Sequence, residues 1–212
     1  MNSDLESLYS AVVCDILDDL GHHNQVINRQ IRPLTHVSKI CGRVRTAHAV
    51  PVTEAPKRPY ELEIKMIDEV EEGEVICIDA GSDETCGLWG ELLTTAGIYK
   101  GCGGVVMSGC SRDLWAIEET EFAVFGLGTH PADSKGRVDI VDLGGPISLT
   151  GVALREGDFI LGDRDGIVVI PREIVDDVIH RALEKVSGEN LVRKDLRDGV
   201  PMSVVFERYG IL

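Results

Sequence analysis

The sequence predicts a mixed α/β protein in which strands from several segments form a compact, barrel-like β core flanked by helices. Three observations support this class. Amphipathic helical patterns stand near both ends of the chain, and many short apolar stretches bounded by Gly or Pro lie between them. Helices and strands also alternate without a regular βαβ repeat, and the sequence contains no Rossmann or P-loop glycine fingerprint.

Two helices are predicted in the first third of the chain. Apolar residues recur at three- and four-residue spacing over 5–20, behind a capping box at 3–6, and Gly21 is placed to end this helix. A second helix is predicted from about Pro59 to Val70, with Leu62, Met66, Ile67 and Val70 on its inner face.

A last helix begins at Pro171 and keeps an apolar face as far as Val186. Ser187 and Gly188 are expected to kink it before a charged stretch over 189–198. The length suits one domain, so we expect residues 1–212 to form a single domain that ends in this helical segment.

The segments between these helices have the pattern of short strands. An alternating strand is predicted over 42–50, and a continuous apolar strand follows an acidic turn within 71–79. Further strands are predicted at 105–107, 122–125, 138–141, 147–151, 159–161 and 167–170.

Composition limits the classes of function. With 21 Lys and Arg against 36 Asp and Glu, the net charge is −15, which argues against direct binding of nucleic acid. The six cysteines form no CxxC pair and several lie in apolar runs, a pattern typical of reduced, buried thiols in the cytoplasm. The amino terminus does not resemble a signal peptide, and no apolar run is long enough to span a membrane.

The stretch from Gly87 to Asp113 carries the most promising chemistry. It contains a glycine-rich turn, a helical run that begins near Gly90, a second glycine turn, an apolar strand and then Arg112 and Asp113. Twenty residues separate Glu91 from Arg112, so the chain can fold back and bring the helix start beside the guanidinium. Free N–H groups there would bind a carboxylate such as that of a small oxo acid.

Plainer interpretations remain open for the same residues. Arg112 and Asp113 taken alone are also typical of an ion pair at a helix start. Glu91 also fits a residue that only complements the dipole of its helix, an interpretation that we weigh nearly equally with a role beside a metal. Glu189 also fits a solvated charge on the last helix.

Four successive phrases resemble the RraA-like family, which includes the 4-hydroxy-4-methyl-2-oxoglutarate aldolases and the regulator of ribonuclease activity A proteins. The phrases are WGELLTTAG, GCGGVVMSGCSRD, FAVFGLGTHPADSKGRV and REGDFILGDRDGIVVIP. The resemblance covers nearly the whole chain. It implies a swivelling β/β/α fold, homotrimers or hexamers with active sites at subunit interfaces, and Mg²⁺ or Mn²⁺ as the metal.

Site residues follow from the resemblance, position by position. Asp113 is the implied metal ligand, Arg112 grips the pyruvyl oxygens, and Glu91 lies near the water shell of the metal. The helix start at Gly90 and the backbone amides of Leu92 and Leu93 bind the substrate carboxylate. Glu189 is the match for a second carboxylate at the metal, contributed by a neighbouring subunit.

The implied reaction is that of a class II pyruvate aldolase, which cleaves a 4-hydroxy-2-oxo acid to pyruvate and also decarboxylates oxaloacetate. The alternative is a non-catalytic regulator that binds a ribonuclease or helicase partner. Ser108 and Ala116 stand where many family members carry acids, and Glu118 is a candidate substitute for the second.

Overall fold

The computed structural model describes residues 3–211, without the side chains of Ser3 and Asp4. The predicted capping box depends on the Ser3 side chain and so lies outside the described part. Of the helices described, none combines the length and the apolar character needed to cross a membrane. The helices are α1 (Ser3–Ser7), α2 (Ser10–Asp19), α3 (Glu61–Glu69), α4 (Glu91–Lys100), α5 (Leu114–Ile117), α6 (Val175–Arg197) and α7 (Met202–Tyr209).

Short strands account for most of the remaining regular structure, as the sequence predicts. They are β1 (Val26–Ile27), β2 (Arg32–Pro33), β3 (Ile40–Pro51), β4 (Glu74–Asp79), β5 (Gly87–Trp89), β6 (Gly104–Met107), β7 (Cys110–Ser111), β8 (Val124–Gly126), β9 (Gly128–Thr129), β10 (Val138–Leu143), β11 (Ile147–Leu149), β12 (Val152–Leu154), β13 (Phe159–Gly162) and β14 (Ile167–Ile170).

The main sheet is curled and mixed, which confirms the predicted fold class. Its order is β1-β14-β13-β3-β4-β6-β8-β2, with β10 paired to β3 beside this path. Neighbours among β3, β4, β6 and β8 are parallel, whereas the other pairs are antiparallel. The parallel strands are joined through α3, α4 and α5, so the centre of the sheet has more βαβ character than the sequence indicates.

A second, three-stranded sheet arises from the connections of the main one. After β4, β6 and β8 the chain contributes β5, β7 and β9 in turn, and these strands pair in parallel. The carboxyl ends of three parallel strands therefore meet at one edge. Loops at such an edge are the common location of ligand sites in α/β proteins.

The prediction of one continuous helix over residues 5–20 is wrong. Tyr9 has an extended backbone (φ −140°, ψ 158°) that separates α1 from α2. The break is stabilised by Asp163, whose carboxylate accepts hydrogen bonds from both the backbone N–H and the hydroxyl of Ser10 at 2.7 Å. Asp163 lies more than 150 residues away in the chain, so helical periodicity alone cannot reveal this cap.

Two predictions near the carboxyl end also need correction. The strand predicted over 147–151 ends at Leu149, because Thr150 and Gly151 have positive φ values and form a hairpin turn into β12. The last helix continues through Ser187 and Gly188 as far as Arg197, and α7 follows it as a separate helix.

Most of the cysteines are buried, in agreement with the prediction of packed thiols. Cys41, Cys77, Cys86, Cys102 and Cys110 are buried, Cys14 is half-buried, and all six are free thiols. Burial raises the pKa of the thiols of Cys102 and Cys110. Thiols in this state are poor nucleophiles, which agrees with a packing role.

Trp89 anchors the end of β5 in the core. Its side chain is fully buried and stacks on the Phe122 ring with 5.8 Å between centroids. The indole Nε1 donates a hydrogen bond of 2.8 Å to the hydroxyl of Thr94, which is also buried. The contact ties the end of β5 to the first turns of α4, on either side of Gly90.

Trp89→Phe is expected to lower the free energy of unfolding by about 1–3 kcal/mol, because the substitution leaves the buried Thr94 hydroxyl without its donor. Chemical denaturation would measure the loss. Tyr99→Phe is the control, since Tyr99 is 91% exposed and its substitution should change stability by less than about 0.5 kcal/mol. Equal effects of the two substitutions would contradict the prediction.

Candidate functional site

A cavity of about 340 Å³ opens where β5, β7 and β9 end. It is lined by residues from the start of α3, the turn before α4, the segment after β7 and the loop after β9. The lining residues are Tyr60, Glu63, Ile64, Gly87, Leu88, Gly90, Leu92, Leu93, Arg112, Asp113, Asp133 and Ser134.

Arg112 is held by carboxylates on two sides. Its Nη1 lies 3.1 Å from Oδ1 of Asp133, and its Nε lies 3.5 Å from Oδ2 of Asp113. Its backbone N–H donates to the carbonyl of Trp89 at 2.8 Å, which fixes the main chain. Gly87 permits this approach, since a Cβ atom there would lie 2.7 Å from Cβ of Arg112.

Asp113 has a left-handed backbone conformation at φ 59°. Its Oδ2 lies 3.4 Å from the backbone nitrogen of Glu91, at the start of α4. The neighbouring residue Gly90 leaves the necessary space, because a Cβ atom at this position would lie 2.8 Å from the same oxygen. The Asp113 carboxylate can therefore approach the start of α4 because residue 90 is a glycine.

The amino end of α4 faces the same cavity. Gly90 precedes the helix and, as a glycine, has no side chain to cap it, and the Asp113 carboxylate lies near the first N–H group only, that of Glu91. The first N–H groups of a helix lack partners within it and attract anions. Leu92 and Leu93 line the cavity, whereas the Glu91 carboxylate accepts a hydrogen bond of 2.9 Å from the Thr95 hydroxyl one turn along the helix.

Three ionisable cavity residues were not predicted from the sequence: Tyr60, Glu63 and Asp133. The Tyr60 hydroxyl donates a short hydrogen bond to Oδ2 of Asp133, whose other oxygen faces Arg112. This hydrogen bond, together with burial, raises the pKa of Tyr60 to about 12. Asp133, which is itself held by Tyr60, therefore holds the Arg112 guanidinium from the side opposite Asp113.

Glu63 differs from the other carboxylates in the cavity. Burial, followed by the negative charge of Asp133, raises the pKa of Glu63 to about 7. One signal in the sequence could have located it: Glu63 shares the three- and four-residue spacing of Met66 and Ile67, which are buried on the inner face of α3. An acid at such a position is partly buried.

Glu189 lies on α6 and does not line this cavity. Its carboxylate accepts a hydrogen bond from the Tyr9 hydroxyl, and Nη2 of Arg193 lies 3.5 Å from it. The resemblance assigns Glu189 to the metal site of a neighbouring subunit. The position of Glu189 within a single chain does not test that role, which stays a prediction. Glu118 pairs with His36 and is not among the cavity residues.

The donor set suits a weakly chelated hard cation. Within residues 3–211, no three His, Cys, Asp or Glu side chains cluster as a metal cage. Mg²⁺ commonly binds through one or two carboxylates and keeps several waters. Asp113, with a half-exposed carboxylate at the cavity, fits this mode, and Mn²⁺ accepts the same oxygen ligands.

Comparison with known proteins places the chain in a family. A family model described as "RraA-like: Aldolase/RraA" matches residues 10–169. A protein from Halalkalibacterium halodurans named "Putative 4-hydroxy-4-methyl-2-oxoglutarate aldolase" is 31% identical over 188 residues, which cover 89% of this chain and 84% of that protein. Protein DlpA from Legionella pneumophila is 29% identical over 94% of this chain, but the match spans only 32% of the length of DlpA.

Solved structures share the fold. The crystal structure of Streptomyces coelicolor RraAS2, described as an unusual member of the RNase ES inhibitor RraA protein family, has a TM-score of 0.77. The two chains are 24% identical, and the match covers 91% of this chain and 96% of RraAS2. From the family match over most of its length and the shared fold, we conclude that the chain belongs to the RraA-like family of aldolases and RraA proteins.

Proposed function

We propose that this protein is a divalent-metal-dependent lyase that cleaves a 4-hydroxy-2-oxo acid to pyruvate and also decarboxylates oxaloacetate. The observation that carries the proposal is the meeting of Arg112, Asp113 and the amino end of α4 at one cavity. One carboxylate for a metal, one guanidinium and free N–H groups for an anion are what a small 2-oxo acid requires. Family members named as aldolases, at about 30% identity, support this choice of reaction.

Each residue has a separate role in the proposed reaction. Asp113 would hold Mg²⁺ or Mn²⁺, which supplies Lewis acidity at the 2-oxo group and neutralises developing negative charge. The amides of Leu92 and Leu93 bind the substrate carboxylate at the start of α4. Arg112 donates to the pyruvyl oxygens and stabilises the enolate that both reactions form.

The surface around the cavity supports a site shared between subunits. Leu92 is 77% exposed and Trp115 is 78% exposed, and these two apolar side chains lie on neighbouring helices, α4 and α5. Large apolar side chains grouped at a surface are typical of interfaces between proteins. A homotrimer or hexamer with Glu189 supplied from a neighbouring subunit therefore remains part of the proposal.

The direct test is pyruvate release by the native protein, with oxaloacetate and with 4-hydroxy-4-methyl-2-oxoglutarate as substrates. After treatment with a chelator the protein should be inactive, and addition of Mg²⁺ or Mn²⁺ should restore release. The restored rate of pyruvate release must increase with protein concentration, because divalent ions alone also decarboxylate oxaloacetate slowly. Pyruvate release that persists in the chelator would contradict metal dependence.

The same assay separates the enzyme from the alternative of a non-catalytic regulator. A related structure is described as the RNA-processing inhibitor RraA, so a regulator of a ribonuclease or helicase is the second candidate. Native protein that is inert toward both substrates with either metal would favour that candidate. A binding assay with purified ribonuclease or helicase would then be the next experiment.

A further inference from the structure

The Glu63 carboxyl differs from the two aspartate carboxylates of the cavity, because both of those have hydrogen-bond or ion-pair partners. Asp133 accepts from Tyr60 and pairs with Arg112, and Asp113 lies between Arg112 and the Glu91 amide. Among residues 3–211, no side chain forms a hydrogen bond or ion pair with the Glu63 carboxyl. A half-buried carboxyl without such a partner remains free to exchange a proton with a molecule in the cavity.

The charges around Glu63 come from several elements. Asp133 in the loop after β9 and Asp139 on β10 disfavour its ionised form, whereas Arg112 after β7 favours it. Burial has the largest effect, and the resulting pKa of about 7 lies near neutral pH. An acid with such a pKa is suited to both accepting and returning a proton during turnover.

Cleavage and decarboxylation place different demands on a base. Retro-aldol cleavage needs a base, because the proton of the 4-hydroxyl must leave as the C4 carbonyl forms and the C3–C4 bond breaks. Decarboxylation of oxaloacetate passes to the same enolate by loss of CO₂, and no hydroxyl proton is removed. A residue that acts as the base is therefore required for the first reaction only.

We propose that Glu63 is the catalytic base that accepts the 4-hydroxyl proton during cleavage of the 4-hydroxy-2-oxo acid. This inference rests on the proposed function. The C3–C4 electron pair moves into the enolate while the carbonyl product forms at C4. The enolate then takes a proton from water at C3 to give pyruvate, as it does after decarboxylation, and Glu63 releases its proton to solvent, so the reaction is balanced without a further reactant.

Glu63→Gln is the decisive variant, because it keeps the shape of the side chain and removes its basicity. Cleavage of 4-hydroxy-4-methyl-2-oxoglutarate should slow by about 10²–10⁴-fold, the usual contribution of a positioned base. Decarboxylation of oxaloacetate should stay within about threefold of the native rate, because that reaction needs no base. Glu61→Gln, two residues earlier on the exposed side of α3, is the matched control and should leave both rates unchanged.

Each other outcome has a clear meaning. If Glu63→Gln lowers both rates alike, or lowers neither, Glu63 is not the base. Native protein that decarboxylates oxaloacetate but cleaves no 4-hydroxy-2-oxo acid would also overturn the inference, while leaving the metal-dependent lyase in place. Native protein inert in both assays would instead overturn the proposed function itself, and the role of Glu63 with it.

A measurement on the metal-free protein checks the protonation of Glu63 without any turnover. A carboxyl with a raised pKa in the folded state binds its proton more tightly there than in the unfolded chain. Stability is therefore lost as pH rises from the unfolded value near 4.5 through about 7. The melting temperature of Glu63→Gln relative to the native protein should rise between pH 5 and pH 8, and a difference that stays constant would contradict the inference.

Discussion

Asp113→Asn is expected to lower kcat/KM for metal-dependent pyruvate release by about 10³-fold or more. The variant loses the one carboxylate that we assign to the metal, and the Lewis acid contributes several kcal/mol to stabilising the transition state. Its affinity for Mn²⁺ should fall in parallel. Pyruvate release and titration with Mn²⁺ measure the two effects on the same preparation.

The backbone makes Asn a better choice than Ala at this position. Asp113 lies in the left-handed region at φ 59°, where Asn is tolerated and Ala is strained. Asp113→Asn should therefore unfold at a temperature close to that of the native protein, so lost activity reports on charge. Full activity with unchanged affinity for Mn²⁺ would show that Asp113 is not the ligand.

Arg112→Lys is expected to lower kcat/KM by about 10²–10³-fold, the usual cost of losing one donor to a developing oxyanion. Lysine keeps the positive charge but cannot reproduce the planar fork that pairs with Asp133 on one side and Asp113 on the other. The loss should appear with both oxaloacetate and the hydroxy acid, because the two reactions share the enolate.

Arg181→Lys is the matched control for this substitution. Arg181 forms an exposed ion pair with Asp177 on α6, and it does not line the cavity. Its replacement should leave kcat/KM within about twofold of the native value, since exposed pairs contribute little. If Arg112→Lys behaves like the control, the guanidinium does not contact the reacting oxygens.

The nearness of Arg112 to the start of α4 could be predicted because the information is local. Both segments belong to one continuous stretch, and its glycines indicate where the chain must turn. The structure brings Arg112 and Asp113 beside Gly87 and Gly90, at distances that leave no room for a Cβ atom on either glycine. The spacing of the glycines within one continuous stretch is therefore sufficient to predict this part of the cavity.

The opposite wall could not be predicted in the same way. Tyr60 and Asp133 are 73 residues apart, and their hydrogen bond depends on how α3 packs against the loop after β9. The break in the first helix has a similar origin, because Asp163 reaches Ser10 from a distant turn. Contacts of this kind depend on tertiary packing, which residue periodicity does not describe.

The parallel centre of the sheet was missed for a related reason. Its connections through α3, α4 and α5 differ in length, and two of them contain an extra short strand. This irregularity hides the βαβ pattern that equal spacing would display. The site nevertheless lies where that pattern places ligands, at the carboxyl ends of parallel strands.

Exchange of the pyruvate methyl protons in D₂O tests the enolate chemistry without assuming a particular aldol substrate. The methyl signal of pyruvate in the proton NMR spectrum should disappear with native protein and saturating Mg²⁺. It should persist with native protein in a chelator and with Arg112→Lys at the same Mg²⁺ concentration. If native protein with Mg²⁺ exchanges these protons no faster than buffer with Mg²⁺ alone, this site does not form a pyruvate enolate.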